Sequence, residues 1–313
     1  MTKLHHILKS QQFSKELLEG ELFPLAKEME KIVKAKKKKT MLTGKIMVTL
    51  FYEPSTRTRL SFEMAMQKLG GGVVSTENAK EFSSAAKGEK IEDTIRVICG
   101  YHPDVVVLRT SEEGMAEKAA ELSPVPVINA GDGTGQHPTQ TLPDLYTIQE
   151  KMGRISGTWM AVAGDLARGR TVHSLAYLYA KFPNVKISFV SPEMGRIPQN
   201  IKDYLKKHNV DFEELYNLKE VASKVDIIYS TRIQRERGGD ILLHYKPSPD
   251  LEYSWEVNQE ILNLMKKDAI VMHPLPHLEE IAPEVDKDPR AVYFRQAENG
   301  LYVRMALLKM ILK

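Results

Sequence analysis

The sequence predicts an α/β protein with two doubly wound parallel-sheet domains, and three observations carry that expectation. Short apolar, β-branched runs alternate with helical segments from residue 45 to residue 272, the pattern of successive βαβ units. The alternation pauses at Gly153-Arg154-Ile155-Ser156-Gly157 and then restarts, which sets a border between a domain at 1–150 and another at 151–290. At 313 residues the chain is also long for one hydrophobic core. A final helix over 291–313 is expected to return to the first domain.

In the first half, residues 14–36 read as a helix. Its basic end, Lys34-Ala35-Lys36-Lys37-Lys38-Lys39, reads as solvated surface, where cations suit the helix dipole. Residues 45–51 are a buried strand led by Gly44, and Leu60/Met64 and Ala65/Leu69 are apolar pairs of a helix that stops at Gly70-Gly71-Gly72. Pro54 pushes Glu53 into an extended conformation and presets the first helical turn. Ser55, Thr56, Arg57 and Thr58 therefore open that helix, where backbone N–H groups are unpaired and the dipole is positive. Three hydroxyls with the guanidiniums of Arg57 and Arg59 make a site for a phosphate or another compact oxyanion. A plain capped helix is the competing reading, but a cap does not call for arginine in the first turn.

A strand at 72–76 follows, then a polar connection over 80–89 and a helix at 91–101. Residues 104–109 form an apolar strand ending in Arg109, followed by a helix at 112–122 and a strand at 125–129. The glycines at 131, 133 and 135 do not spell the dinucleotide fingerprint. His137 and Gln140, one turn apart where the helix at 141–152 opens, are placed to hydrogen-bond a ligand.

In the second half, a strand at 158–163 and a helix at 171–182 flank Gly164-Asp165-Leu166-Ala167-Arg168-Gly169-Arg170-Thr171. This loop departs from a Walker A loop in having Arg170 where lysine should stand, and no magnesium motif follows, so an NTPase is discounted. A strand at 185–190 and helices near 199–208 and 218–224 come next. The strand at 226–230 runs into Arg232, Gln234, Arg235 and Arg237, either a mobile basic loop or a charged surface turn. After a helix at 255–267 and a strand at 269–272, His273-Pro274-Leu275-Pro276 fixes an extended turn. Its carbonyls are free to accept from a ligand amine or amide, or it is simply a rigid turn.

Composition narrows the class. Hydrophobic residues at 42% and charged residues at 27% describe an ordinary globular protein. No apolar run is long enough to span a bilayer and no signal-peptide pattern opens the chain. The single cysteine, Cys99, reads as buried bulk and suits a reducing compartment, so the cytoplasm is expected. A net charge of +3 is too small to argue for nucleic acid; neither nucleic acid nor membrane is an expected partner.

The run from Phe51 to Glu63, Phe-Tyr-Glu-Pro-Ser-Thr-Arg-Thr-Arg-Leu-Ser-Phe-Glu, strongly resembles the carbamoyl-phosphate motif of the aspartate and ornithine carbamoyltransferases. Ser83 with Lys87-Gly88-Glu89 resembles a loop those enzymes contribute across a subunit interface, and His137-Pro138-Thr139-Gln140-Thr141-Leu142 resembles their second signature. Arg232 and Gln234 match an aspartate-binding segment. His273-Pro274-Leu275-Pro276 is similar to the aspartate-using members, since the ornithine enzymes carry His-Cys-Leu-Pro there. The motifs keep the family's order over nearly the whole chain. One departure stands out: His277 follows the turn where the family usually has arginine.

The resemblance implies an active site between the two domains, with no metal and no cofactor. It implies that Ser55, Thr56, Arg57, Thr58 and Arg109 hold the phosphate of carbamoyl phosphate, joined by Ser83 and Lys87 of a neighbouring subunit. Thr58, Arg109 and His137 would polarise the carbamoyl oxygen, with Gln140, Pro274 and Leu275 also binding carbamoyl phosphate. Arg170 would hold the α-carboxylate of aspartate, and Arg232, Gln234 and Lys87 the β-carboxylate. Arg57, Thr58, Lys87, Arg109 and His137 would carry the chemistry, in de novo pyrimidine biosynthesis. A homotrimer with shared sites is implied; whether separate regulatory chains join it stays open. A carbamoyltransferase for ornithine is the rival enzyme, and a silent phosphate-binding homologue the rival from another class. Arg232 with Gln234 suits a carboxylate better than a cationic amine tail, and the intact Ser55–Arg59, Arg109, His137 and Arg170 set argues against silence.

Overall fold

The computed structural model describes residues 4–36, 40–82, 84–234 and 254–312. The chain divides into two compact units, Met1–Pro143 with Glu298–Lys313, and Asp144–Ala297.

The first unit holds a parallel sheet of β1 (Ile46–Phe51), β2 (Gly72–Thr76), β3 (Val105–Thr110) and β4 (Val127–Asp132), in the order β2-β1-β3-β4. Val105, Val106, Val107 and Leu108 are all fully buried, as a parallel strand covered on both faces requires; each such side chain contributes about 1.5–3 kcal/mol. The β2 edge is more open, with Val74 60% exposed. The β4 edge is partly covered by the N-terminal segment, where Ile7 N–H donates to the Val127 carbonyl at 2.9 Å and Asn129 N–H to the Ile7 carbonyl at 2.7 Å.

The helices of this unit are α1 (Phe23–Lys34), α2 (Thr56–Lys68), α3 (Ile91–Cys99) and α4 (Met115–Leu122), with α5 (Pro138–Met152) beginning in it. The expected helix from residue 14 is present. Ser14 caps it by accepting Leu17 N–H at 3.2 Å, and it passes through a wide π turn at Leu18–Leu22 before α1. Lys34 pairs with Glu30; Lys37 to Lys39 lie outside the described residues. Ala65 of α2 and Leu69 at its C-cap are fully buried, whereas Leu60 and Met64 are about half exposed. Cys99 is half-buried, its Sγ 3.5 Å from Ser123 Oγ.

The second unit holds a parallel sheet of β5 (Trp159–Ala163), β6 (Lys186–Val190), β7 (Asp211–Leu215), β8 (Ile227–Ser230) and β9 (Ile270–Met272), in the order β7-β6-β5-β8-β9. Its helices are α6 (Arg170–Tyr179), α7 (Gln199–Lys207) and α8 (Gln259–Leu264), and α9 (Tyr293–Ile311) starts here and continues into the first unit. Besides β7, which was not expected, two elements differ from expectation. The helix expected at 255–267 is only α8. Asn258 caps it by accepting Ile261 N–H at 3.2 Å, and Val257 is instead extended, bridged to residues 280 and 282 through bonds of 2.9 Å. The segment expected as a helix at 218–224 is a 3-10 turn, Leu218–Glu220, followed by an ordinary turn. No helix in the described residues is long and apolar enough to cross a membrane.

Each strand order reverses direction once. In the first sheet the chain leaves β1 for β2 on one side and β3 lies on the other; in the second it leaves β5 for β6 and β8 lies opposite. Open parallel sheets bind ligands beyond the carboxyl ends of the strands flanking such a point. In the first unit that position follows Phe51, whose register partner is Arg109. In the second it follows Ala163, paired with Ser230.

Candidate active site

The described sequence-predicted residues fall into two groups, one in each unit. In the first unit, Pro54 leads into Ser55, which sits extended at φ −159° as the N-cap of α2 and makes no side-chain capping bond. The Ser55 hydroxyl is thus not used by the helix it precedes. Thr56 and Arg57 are exposed and Thr58 is buried, so the turn offers two outward groups and one packed hydroxyl at the positive end of the helix.

Arg59 is turned to carboxylates instead. Its guanidinium pairs with Glu63 at 3.2 Å and Glu77 at 2.7 Å and donates to Ser75 Oγ at 3.1 Å. The other Glu77 oxygen accepts Ser55 N–H at 3.3 Å. The reading of two guanidiniums at the site is therefore corrected to Arg57 alone. Glu63, one turn along α2, was the overlooked partner. Arg59 and Glu77 instead fix the start of α2 against the end of β2.

Arg109 is buried at the tip of β3. It donates to the Ala130 carbonyl at 3.1 Å and to Glu53 at 2.6 Å, which locks the guanidinium plane between two neighbouring strand ends. His137 is buried, with Nδ1 3.3 Å from Thr139 Oγ1; Thr139 Oγ1 in turn donates to the Asn129 carbonyl. Gln140 is half-exposed, and its N–H donates to the His137 carbonyl at 3.0 Å. Arg304 of α9 stacks on Phe62 and donates to the Thr139 carbonyl at 3.1 Å, so the C-terminal helix holds the start of α5 in place. Lys87 is exposed at the end of a 3-10 turn, Ser84–Lys87; Ser83 lies outside the described residues.

In the second unit Gly164 ends β5 at φ +126°, where a Cβ would meet the Thr231 carbonyl oxygen at 2.0 Å. Only glycine lets the two strand tips approach this closely. Asp165 is fully buried and binds both tips: Oδ1 accepts Arg168 N–H at 3.2 Å and lies 3.5 Å from the Arg168 guanidinium, while Oδ2 accepts Gln234 N–H at 3.2 Å. Sequence reasoning passed over Asp165; its signal was an acidic residue directly after the glycine that ends an apolar strand. Arg170, buried, opens α6. Arg232 Nη1 lies 3.4 Å from the Ile233 carbonyl and Gln234 Nε2 3.5 Å from the Arg232 carbonyl. Arg235 and Arg237 lie outside the described residues.

After β9, Leu275 stands at φ +52° between Pro274 and Pro276. Its N–H donates to His273 Nδ1 at 2.8 Å, and His273 Nε2 lies 2.8 Å from Glu280. Burial pushes the Glu280 carboxyl up, but the bonds from His273 and nearby backbone N–H groups outweigh it and hold the group below the usual carboxylate range. Tyr229 donates to Asp144 at 2.9 Å, and burial first, then that carboxylate, pushes its phenol well above the usual value. His277 Nε2 lies 3.3 Å from Asp286, which also accepts from the Tyr293 hydroxyl. Among the described residues no group of three or more His, Cys, Asp or Glu could hold a metal ion.

Chemically, the first group is suited to an oxyanion and a polarised carbonyl, and the second to a carboxylate-bearing partner with an N–H donor. Residues 5–150 match the family described as aspartate/ornithine carbamoyltransferase, carbamoyl-P binding domain, and residues 156–311 match its Asp/Orn binding domain. The chain is 56% identical to the chloroplastic aspartate carbamoyltransferase of Arabidopsis thaliana, over 99% of this chain and 78% of that one. It is 46% identical to the aspartate carbamoyltransferase catalytic subunit of Methanocaldococcus jannaschii, over 99% and 98%. A crystal structure of aspartate transcarbamoylase from Trypanosoma cruzi in complex with carbamoyl phosphate and aspartate superposes with a TM-score of 0.91 at 37% identity, covering 99% of this chain and 97% of that one. With both halves of the chain matched in order, it belongs to the aspartate/ornithine carbamoyltransferase family.

Proposed function

We propose that this chain transfers the carbamoyl group of carbamoyl phosphate to the amine of L-aspartate, giving N-carbamoyl-L-aspartate and phosphate, a step of de novo pyrimidine biosynthesis. The observation that carries the reading is the placement of the Ser55–Thr58 turn and Arg109 at one switch point, and of the Arg170 and Arg232–Gln234 loops at the other, in a chain of this family. Roles divide by chemistry. Ser55, Thr56, Arg57, Thr58 and Arg109 hold the phosphate, and Thr58, Arg109 and His137 stabilise the oxyanion that forms as the amine attacks. Gln140 and the carbonyls of Pro274 and Leu275 take the carbamoyl amide. Arg170 takes the α-carboxylate of aspartate, and Arg232, Gln234 and Lys87 the β-carboxylate. The departing phosphate is basic enough to accept the proton from the attacking amine, so rate comes from positioning and electrostatics rather than from a covalent intermediate.

The assembly we infer is a homotrimer in which Ser83 and Lys87 of one subunit complete the phosphate site of the next; separate regulatory chains are a further partner to test for. The half-buried thiol of Cys99 suits a compartment that keeps thiols reduced. The cytoplasm is one such compartment, and the chloroplast of the plant relatives is another.

The test is carbamoyl transfer by purified protein, with L-aspartate and L-ornithine offered separately. N-carbamoyl-aspartate from aspartate alone, lowered on the order of a hundredfold or more by Arg57→Ala, is the expected result. Citrulline from ornithine would overturn the substrate assignment, and no product with either would overturn the reaction.

A further inference from the structure

The turn after β9 is secured by one imidazole. Leu275 at φ +52° occupies a backbone region that side chains with a Cβ disfavour, so its peptide needs an outside tie. That tie is the 2.8 Å bond from Leu275 N–H to His273 Nδ1. A ring nitrogen that accepts a hydrogen bond carries no proton, so the proton of this imidazole sits on Nε2 and is donated to Glu280 Oε1, also at 2.8 Å. The same Glu280 oxygen accepts Leu278 N–H at 3.2 Å, so one residue inside the Pro274–Pro276 turn and one after it are fastened to a single imidazole–carboxylate pair.

The pair is itself anchored. His273 N–H donates to Gln296 Oε1 at 3.0 Å, Gln296 Nε2 donates to Asp144 at 2.7 Å, and the other Asp144 oxygen accepts from Tyr229 at 2.9 Å. The His273 side chain is 0% exposed and that of Glu280 4%, so the imidazole is out of reach of ligand and acts through the turn. Among the described residues, neither the Pro274 nor the Leu275 carbonyl accepts a hydrogen bond.

We propose that His273 is a positioning residue: through Nδ1 it fixes the Leu275 peptide so that the Pro274 and Leu275 carbonyls face the carbamoyl amide, and it thereby sets the preference for an acyl phosphate bearing N–H donors. The inference rests on the assignment of those two carbonyls to the carbamoyl amide in the proposed function. Acetyl phosphate has a methyl group in place of the amide nitrogen, so it can occupy the site but gives the carbonyls nothing to accept. Inorganic phosphate has no acyl group and reports the phosphate site alone.

Two substitutions separate the two nitrogens. In His273→Asn the amide oxygen takes the place of Nδ1 and keeps an acceptor for Leu275 N–H, while the bond to Glu280 is lost. In His273→Gln the amide nitrogen takes the place of Nε2 and keeps a donor to Glu280, while the acceptor for Leu275 is lost. Equilibrium binding of carbamoyl phosphate, acetyl phosphate and inorganic phosphate to the full chain, in the cold and without amino acid, gives the readout. The expected result is a weakening of carbamoyl phosphate by about tenfold in His273→Gln and by no more than about threefold in His273→Asn, with acetyl phosphate and phosphate within about twofold in both. Larger loss in His273→Asn than in His273→Gln would mean the imidazole only satisfies Glu280, and overturns the proposal. A fall of all three ligands in step overturns it as well, since that is the mark of general damage. If wild type holds acetyl phosphate as tightly as carbamoyl phosphate, the assignment of the turn carbonyls itself fails. If wild type discriminates and His273→Gln does so equally, only the role of His273 fails.

Discussion

Asp165 and Gln234 meet through the backbone: the fully buried carboxylate accepts the Gln234 N–H at 3.2 Å while its other oxygen takes the Arg168 N–H at 3.2 Å. One side chain therefore couples the loop that leads to Arg170 with the segment that carries Arg232. Asp165→Ala leaves two partly buried N–H groups without their acceptor, at about 1–3 kcal/mol. Aspartate KM is expected to rise about tenfold or more while phosphate affinity stays near wild type, as initial rates and phosphate inhibition will show.

Gly164 is a second constraint on the same pair of loops. A Cβ there would lie 2.0 Å from the Thr231 carbonyl oxygen, at a φ of +126°. Gly164→Ala is expected to cost about 2–4 kcal/mol, because backbone rather than a flexible side chain must move. Urea unfolding gives the measurement; stability equal to wild type would contradict the close approach of the β5 and β8 tips.

Arg170→Ala separates the roles assigned to the two units. Truncating a buried guanidinium that binds a carboxylate is expected to raise aspartate KM on the order of a hundredfold, with carbamoyl phosphate affinity changed by less than about threefold. An equal loss of both substrates would remove Arg170 from the α-carboxylate.

Glu280 gives a pH dependence with a definite sign. Its folded carboxyl titrates below its ordinary value of 4.5, so the ionised form is favoured by folding. The stabilisation is fully present above the ordinary carboxylate range and is lost as pH falls through the folded value. The stability gap between wild type and Glu280→Gln is expected to be constant near neutrality and to shrink in acid, as denaturant melts at successive pH values will record. A gap that widens in acid would reverse the assignment.

The sequence exposes the parts of this fold whose causes are local. Pro54 before a hydroxyl-rich turn and the valines of β3 each dictate their own backbone, and the structure has them where expected; the turn after β9 is not the extended one expected, because Leu275 stands at φ +52°. Elements decided by distant partners were not legible. β7 reads as polar because it is an edge strand: Glu213 accepts from Ser188 and pairs with Lys186, Glu214 pairs with Lys202, and Phe212 packs edge-on to Phe189. Val257, inside the helix expected at 255–267, is claimed by backbone bonds to 280 and 282.

The same division holds at the candidate site. Arg57 and Arg59 look alike in sequence, but Glu63 one turn along the helix and Glu77 beyond β2 assign Arg59 to ion pairs. The residues that anchor the turn after β9 come from 144, 229, 280 and 296, a set that no spacing rule connects. Strand order, which puts the Ser55 turn and Arg109 on either side of one switch point, is likewise a property of the folded sheet.

The most direct test of the proposed reaction is to watch the new bond. Wild-type protein given [13C]carbamoyl phosphate and [15N]aspartate is followed by 13C and 31P NMR. The account predicts a carbonyl resonance split by one-bond coupling to 15N, growing in step with inorganic phosphate. Phosphate release with no 13C–15N coupling, or carbamoyl phosphate that decays no faster than without protein, would contradict it.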